Sequence, residues 1–166
     1  MKIGIVSDSH GKTRRLAAAL QELAGKGAET IVHCGDVGSA ACLDALADCP
    51  LPCHVVAGNM DRHVDAMQVS HRCDGLQLAP ASLLVDLPGG RALAVTHGHD
   101  GSLLLALAEN PAVAYLCHGH THRARDERVG NLRMINPGAL HHPKGPRHPT
   151  CALLDTDTDT VEFLEV

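Results

Sequence analysis

The stretch Leu116-Cys117-His118-Gly119-His120-Thr121-His122 sets three imidazoles at alternate positions, and the chain holds 13 histidines against 14 lysines and arginines together. Imidazole binds metals and moves protons near neutral pH, so an excess of it asks for a chemical reason. Further donors stand in short polar clusters: Asp8 and His10, Asp36, Asn59 and Asp61, then His97 and His99. Imidazole, carboxylate and amide without thiolate suit Mn, Fe, Zn, Co or Ni, and the residue types do not choose among these. On an extended backbone Asp8 and His10 point to one side and form one arm of a chelate. His120 and His122 have the same spacing, which on an extended backbone separates their Cα atoms by roughly 6.5–7 Å. That distance suits ligands of neighbouring ions, which in two-metal hydrolytic sites lie about 3.5–4 Å apart with a carboxylate between them. Asp36 is expected to be that bridge.

The elements that must position these donors alternate along the first half of the chain. Residues 2–8, KIGIVSD, are a β-branched apolar run, and residues 12–27 follow with helical spacing and a glycine stop. Residues 29–36 repeat the strand, 39–49 the helix, and 53–61 give a third strand. Such alternation argues for parallel strands joined by helical crossovers. The second half is richer in strands. Residues 82–87 and 91–97 flank a Pro-Gly-Gly turn as a hairpin, a helix begins at Gly101 and stops at Pro111, and 112–118 and 132–136 are further strands. Residues 137–149 read as loop, expected to be solvated, with contact of Lys144, Arg147, His141, His142 or His148 with a substrate phosphate as the alternative, and 150–155 with 160–166 as a closing hairpin. The donors therefore gather at the carboxyl ends of five predicted strands, the edge at which open α/β sheets bind ligands.

Taken in order, Asp8-Ser9-His10, Gly35-Asp36-Val37, Gly58-Asn59-Met60-Asp61, Thr96-His97-Gly98-His99 and Gly119-His120-Thr121-His122 resemble the motif series of the calcineurin-like dinuclear metallophosphoesterases. The short chain and Ile135-Asn136-Pro137-Gly138-Ala139 after the last motif look like the small bacterial and archaeal phosphodiesterase branch of that family. The resemblance runs from Asp8 to Gly138. It implies a four-layer α-β-β-α sandwich of two mixed β-sheets flanked by helices. It also implies that Asp8, His10 and His122 hold one divalent ion, that Asn59, His97 and His120 hold the other, and that Asp36 bridges them, with manganese favoured. The reaction implied is hydrolysis of a phosphodiester by in-line attack of a hydroxide shared by the two ions. Asp36, Asn59 and His99 are the residues expected nearest the reacting atoms. Asp61, His63 and His118 are candidates for supporting the ligands or touching the substrate. Two positions depart from the family pattern. Met60 stands where catalytic members of the wider family usually carry the histidine that protonates the leaving group, and methionine has no proton to give. His99, His63 or a bound water are left for that role. Ala139 replaces the branch's usual serine, a smaller change.

Composition narrows the alternatives. At 166 residues the chain is expected to form one domain, residues 1–166, burying roughly two thirds of its unfolded surface. A net charge of −5, one tyrosine, one phenylalanine and no tryptophan give neither the basic footprint nor the stacking platform of a nucleic-acid binder, which disfavours a nuclease of the same superfamily. No apolar run approaches the ~18 residues of a membrane span, and the polar start of the chain does not read as a signal peptide. Seven cysteines without a Cys-x-x-Cys pair suit a reducing compartment, so the expected location is the cytoplasm, and the cysteines in apolar segments are expected to be buried. Gly11-Lys12-Thr13 lacks the earlier glycine of a phosphate loop, and residues 155–159, DTDTD, lack the glycine and closing glutamate of a calcium loop. A phosphomonoesterase or nucleotide phosphatase with the same centre, and a metal-binding or interaction scaffold of the same fold, are the rival readings. The expected partners are a small phosphoester substrate and a second copy of the chain.

Overall fold

Every strand that ends in a donor residue is short and apolar, and in the computed structural model, which describes residues 1–61, 75–144 and 148–166, these strands fall into two sheets. The first has the order β11-β10-β1-β2-β3-β4, with β1 Lys2–Val6, β2 Thr30–His33, β3 Cys53–Val56, β4 Leu76–Ala79, β10 Thr150–Asp155 and β11 Thr160–Glu165. The second has the order β5-β6-β7-β9-β8, with β5 Ser82–Leu87, β6 Arg91–Thr96, β7 Val113–Cys117, β8 Ala124–Val129 and β9 Leu132–Pro137. β1, β2, β3 and β4 pair in parallel, as do β6, β7 and β9, while the hairpins β5–β6, β8–β9 and β10–β11 are antiparallel. Both sheets are therefore mixed.

The period of two along each strand divides the apolar residues among three interfaces. In β10, Cys151 and Leu153 face helices α1 (Thr13–Gly25) and α2 (Ala40–Ala47), while Ala152 and Leu154 join Ile3, Ile5 and Val32 against the other sheet. The second sheet answers with Leu93, Val95, Tyr115, Cys117 and Ile135. Its far face, with Ala94, Leu116 and Leu132, takes Leu104 and Leu107 of α3 (Gly101–Ala108). Three contact layers between four structural layers make the α-β-β-α sandwich implied by the motifs. α1 turns Leu16, Ala19, Leu20 and Leu23 inward at helical spacing. α2 and α3 start on side-chain caps: Ser39 accepts from the Cys42 N–H, and Asp100 from those of Ser102 and Leu103.

Two strands lie outside the predicted set. β4, Leu76–Ala79, is only four residues long, too short for its alternation to announce a strand, and β8, residues 124–129, is an edge strand polar on both faces that shows no alternation. Cys34, Cys53, Cys117 and Cys151 are buried as expected, and burial raises their thiol pKa, that of Cys151 to about 12, so they stay protonated. The acidic residues 155–159 form the β10–β11 turn, where Asp157 pairs with the terminal amine at 2.8 Å and Asp159 with Arg133 at 2.8 Å. Among the described residues no helix is long and apolar enough to cross a membrane.

Candidate metal centre

Because β1, β2, β3, β6 and β7 run parallel within their sheets, their carboxyl ends deliver five loops to one edge of the sandwich. The loops are stitched backbone to backbone. Asp8 N–H donates to Gly35 O, His10 N–H to Asp36 O, Gly119 N–H to His97 O and His141 N–H to Asp8 O. The donors do not sit on extended backbone as their spacing suggested. Asp8, His10, Asp36, His120 and His122 all have left-handed φ, from 43° to 65°. β1 ends at Val6 and β7 at Cys117, so each pair of donors lies on a tight turn past the strand. For L-residues this region costs roughly 1–2 kcal/mol each, less for aspartate, and such strain gathers at functional sites. Gly58 and Gly119 make the close approach possible, since a Cβ on the first would overlap the Asp36 carboxylate and one on the second would overlap Ser7 Oγ.

Two groups of side chains result. Asp8 Oδ1 lies 3.2 Å from His122 Nε2 and 3.8 Å from His10 Nε2, and the two imidazole nitrogens are 3.5 Å apart. Asp36 Oδ2 lies 3.4 Å from His97 Nε2 and 3.7 Å from His10 Nε2, so it faces both groups. Asn59 Oδ1 is 3.0 Å from His97 Nε2, and the His120 ring stands edge-on to that of His97 at 5.2 Å. His97 Nδ1 is fixed on Cys34 O at 2.8 Å and His122 Nδ1 on His142 O at 2.9 Å. Both rings therefore donate Nδ1–H to a backbone carbonyl and turn Nε2 into the cluster, the usual orientation of a metal-ligating histidine.

Electrostatics ask for cations here. Asp8 is fully buried, and its Oδ1 is an orphan without a hydrogen-bond partner, a costly state for a carboxylate. Burial raises the Asp8 pKa despite the hydrogen bond from Ser7 Oγ at 2.6 Å. Asp36 also pays for burial, yet the His97 hydrogen bond and the Met60 N–H at 2.8 Å hold its pKa below the usual carboxylate value. Burial pulls His97 down, but Asp36 prevails and raises it. His120 is lowered by burial and by His97. A buried carboxylate oxygen left unsatisfied beside the inward-facing Nε2 atoms of His10 and His122 asks for a cation among them, so these residues fit divalent ions.

A cleft of about 420 Å³ opens over the cluster, walled by His10, Asp36, Asn59, His120 and His122 and rimmed by Met60, His141 and His142. The last two correct the expectation of a solvated 137–149 loop. Leu140 N–H bonds Ser7 O, and Lys144 N–H bonds His122 O, which folds the segment over the strand ends. A neighbouring cavity of about 480 Å³, lined by Lys12, Arg14, Arg15 and His141 among others, opens on the far side of His141. His99 is exposed at the rim, 5.4 Å ring to ring from His97, and does not wall the cleft. Asp61 accepts the N–H groups of Val37, Gly38 and Gly58, which ties the β2 loop to the β3 loop. His118 is kept neutral by burial and meets Asn136 Nδ2 at 3.3 Å. Asn136, also bonded to Gly119 O and Thr121 Oγ1, holds the loop that carries His120 and His122. His63 and Arg147 lie outside the described residues.

Two mixed sheets between helices, with carboxylate and imidazole donors converging at their common edge, define a metallohydrolase architecture. The family model of the calcineurin-like phosphoesterase superfamily domain matches residues 1–159, and the chain belongs to that family and is a metal-dependent phosphoester hydrolase. It is 31% identical to the probable metallophosphoesterase YsnB of Bacillus subtilis over 99% of this chain and 91% of that protein. It is likewise 31% identical to the phosphodiesterase YfcE of Escherichia coli, over 97% and 91%. In fold it resembles a solved archaeal phosphodiesterase with a TM-score of 0.87 and 24% identity, each chain covered in full.

Proposed function

We propose that this chain, a single domain, is a cytoplasmic phosphodiesterase that acts on small phosphodiesters with two divalent ions, manganese the favoured metal, and that it works as a homodimer. The observation that carries the metal reading is the buried Asp8 Oδ1, unpartnered and facing the inward nitrogens of His10 and His122. Asp8, His10 and His122 would hold one ion and Asn59, His97 and His120 the other, with Asp36 shared between them. Divalent ions held there offset phosphate charge and make water acidic enough to yield a nucleophile near neutral pH.

The residues around the cluster do the rest. Asn59 turns its Oδ1 toward His97, which leaves the amide N–H groups for a phosphate oxygen. His141 and His142 stand at the rim, as candidates to meet an ester's non-reacting oxygens. Asp36 is drawn toward its ionised form by His97 and Met60 N–H, and so keeps its charge for both ion positions. Met60 lies at the cleft mouth, 57% exposed. It cannot protonate a leaving group, so esters whose leaving oxygen is stable without a proton are the preferred substrates.

The test is a screen of mono- and diesters, nucleotides included, with metal-free protein reloaded with manganese, zinc, cobalt, nickel or iron. Metal-dependent hydrolysis of diesters in preference to monoesters is the expected result. Two tightly bound ions with no ester turned over would place the chain among binding scaffolds instead.

A further inference from the structure

The turn that carries Asp8 and His10 is anchored by the residue between them. Ser9 is fully buried, and so is His33, the last residue of β2. Ser9 Oγ lies 3.0 Å from His33 Nε2 and donates to Val37 O at 3.1 Å. On its other side the His33 ring accepts the Gly35 N–H at Nδ1, 3.2 Å away. Nδ1 is thus the acceptor nitrogen, which puts the ring proton on Nε2 and makes His33 the donor to Ser9. The relay His33 Nε2–H to Ser9 Oγ–H to Val37 O joins the end of β2, the turn bearing Asp8 and His10, and the residue after Asp36.

We propose that Ser9 and His33 are positioning residues, a buried strut that sets Asp8 and His10 at their distances from Asp36 and so shapes one of the two ion positions. The inference rests on the dinuclear reading above. Neither residue reaches the cleft, and neither is a ligand. His10 has its left-handed φ of 43° and Asp8 its 53° on either side of Ser9. A turn so strained relaxes toward more common backbone angles when its anchor is removed. The His10 ring, 22% exposed and standing 3.7 Å from Asp36 Oδ2 and 3.5 Å from His122 Nε2, is the part free to move. His97 and Asn59 are carried by the ends of β6 and β3 and bond one another, so the second position leans on this strut less than the first, only through Cys34 O and the shared Asp36.

The experiment counts manganese uptake by metal-free wild-type protein, Ser9→Ala, His33→Gln and the double variant Ser9→Ala/His33→Leu, by titration calorimetry and by the electron paramagnetic signal of free Mn²⁺. Thermal unfolding of each metal-free protein is measured alongside. In Ser9→Ala one equivalent should weaken about tenfold to a hundredfold while the other holds. His33→Gln, whose amide N–H can still reach Ser9, should bind nearly as wild type. The double variant removes both members of the buried pair, so its melting temperature should exceed that of Ser9→Ala, yet the weakened equivalent should stay weak. Unchanged uptake in Ser9→Ala, equal weakening of both equivalents, or recovery of affinity together with melting temperature would overturn the inference. Failure of the wild-type protein to bind two equivalents would overturn the dinuclear reading and this inference with it.

Discussion

Asp36→Asn isolates charge from shape at a carboxylate that faces both groups. The asparagine has nearly the same volume, and its Oδ1 can still accept the Met60 N–H that now bonds Asp36 at 2.8 Å. Asp36 Oδ2 is 3.4 Å from His97 and 3.7 Å from His10, so an ion in either group feels the carboxylate at close range. A unit charge about 4 Å from another is worth about 4 kcal/mol at an effective dielectric constant near 20. At about 1.4 kcal/mol per factor of ten this is roughly a thousandfold in affinity for each ion, and more for a divalent one. The metal-free variant should unfold within about 2–4 °C of wild type, which corresponds to a change near 1 kcal/mol. Metal content after chelation and reloading, and hydrolysis of a chromogenic aryl phosphodiester across micromolar to millimolar metal, measure both effects. Uptake should shift to far higher metal and turnover should collapse. A variant that keeps two bound ions and the wild-type rate would refute the bridging role and the reasoning behind it.

Met60→His should restore a proton donor at the cleft mouth and speed hydrolysis of alkyl diesters by about 10²–10⁴-fold with little change for activated aryl diesters; a series of leaving groups would show it, and an unchanged dependence on leaving-group pKa would count against the reading of Met60. Gly58→Ala drives a methyl into the Asp36 carboxylate and should cost about 1–3 kcal/mol as well as metal uptake, whereas Gly25→Ala, with open space around its Cβ position, should stabilise helix α1 by about 0.5–1 kcal/mol; urea titrations of both check the contrast. Burial pushes the His33 imidazole down to about 4, with the charges of Asp61 and His97 as lesser, opposed influences. Between about pH 6.5 and 4 the unfolded chain then holds the proton that folded His33 refuses, so the metal-free protein should lose stability as pH falls, by up to about 1.4 kcal/mol per pH unit. His33→Gln should remove that part of the slope, and urea midpoints at pH 7 and 5 that fall equally in both proteins would contradict it.

The sequence by itself determined the alternation of strand and helix, the hairpins at residues 82–96 and 150–165, and the set of donors that end the strands. These are local properties. A β-branched run bounded by Gly and Asp reads as a strand end wherever it packs, and imidazole and carboxylate carry their chemistry with them. Tertiary structure alone decided how the donors are aimed. Alternate spacing promised extended pairs at Asp8–His10 and His120–His122, and the chain instead bends each pair through left-handed turns that only neighbouring loops can hold. β8 was not legible because an edge strand with Arg125, Asp126, Glu127 and Arg128 in succession has no buried face to leave a period. His141 and His142 looked like residues of a solvated loop, since nothing local reports that Leu140 and His141 bond the first turn. His33, Ser9 and Asn136 carry no local sign of their roles for the same reason. A buried polar group gains its meaning from the partner that desolvates and satisfies it, and that partner lies on another strand.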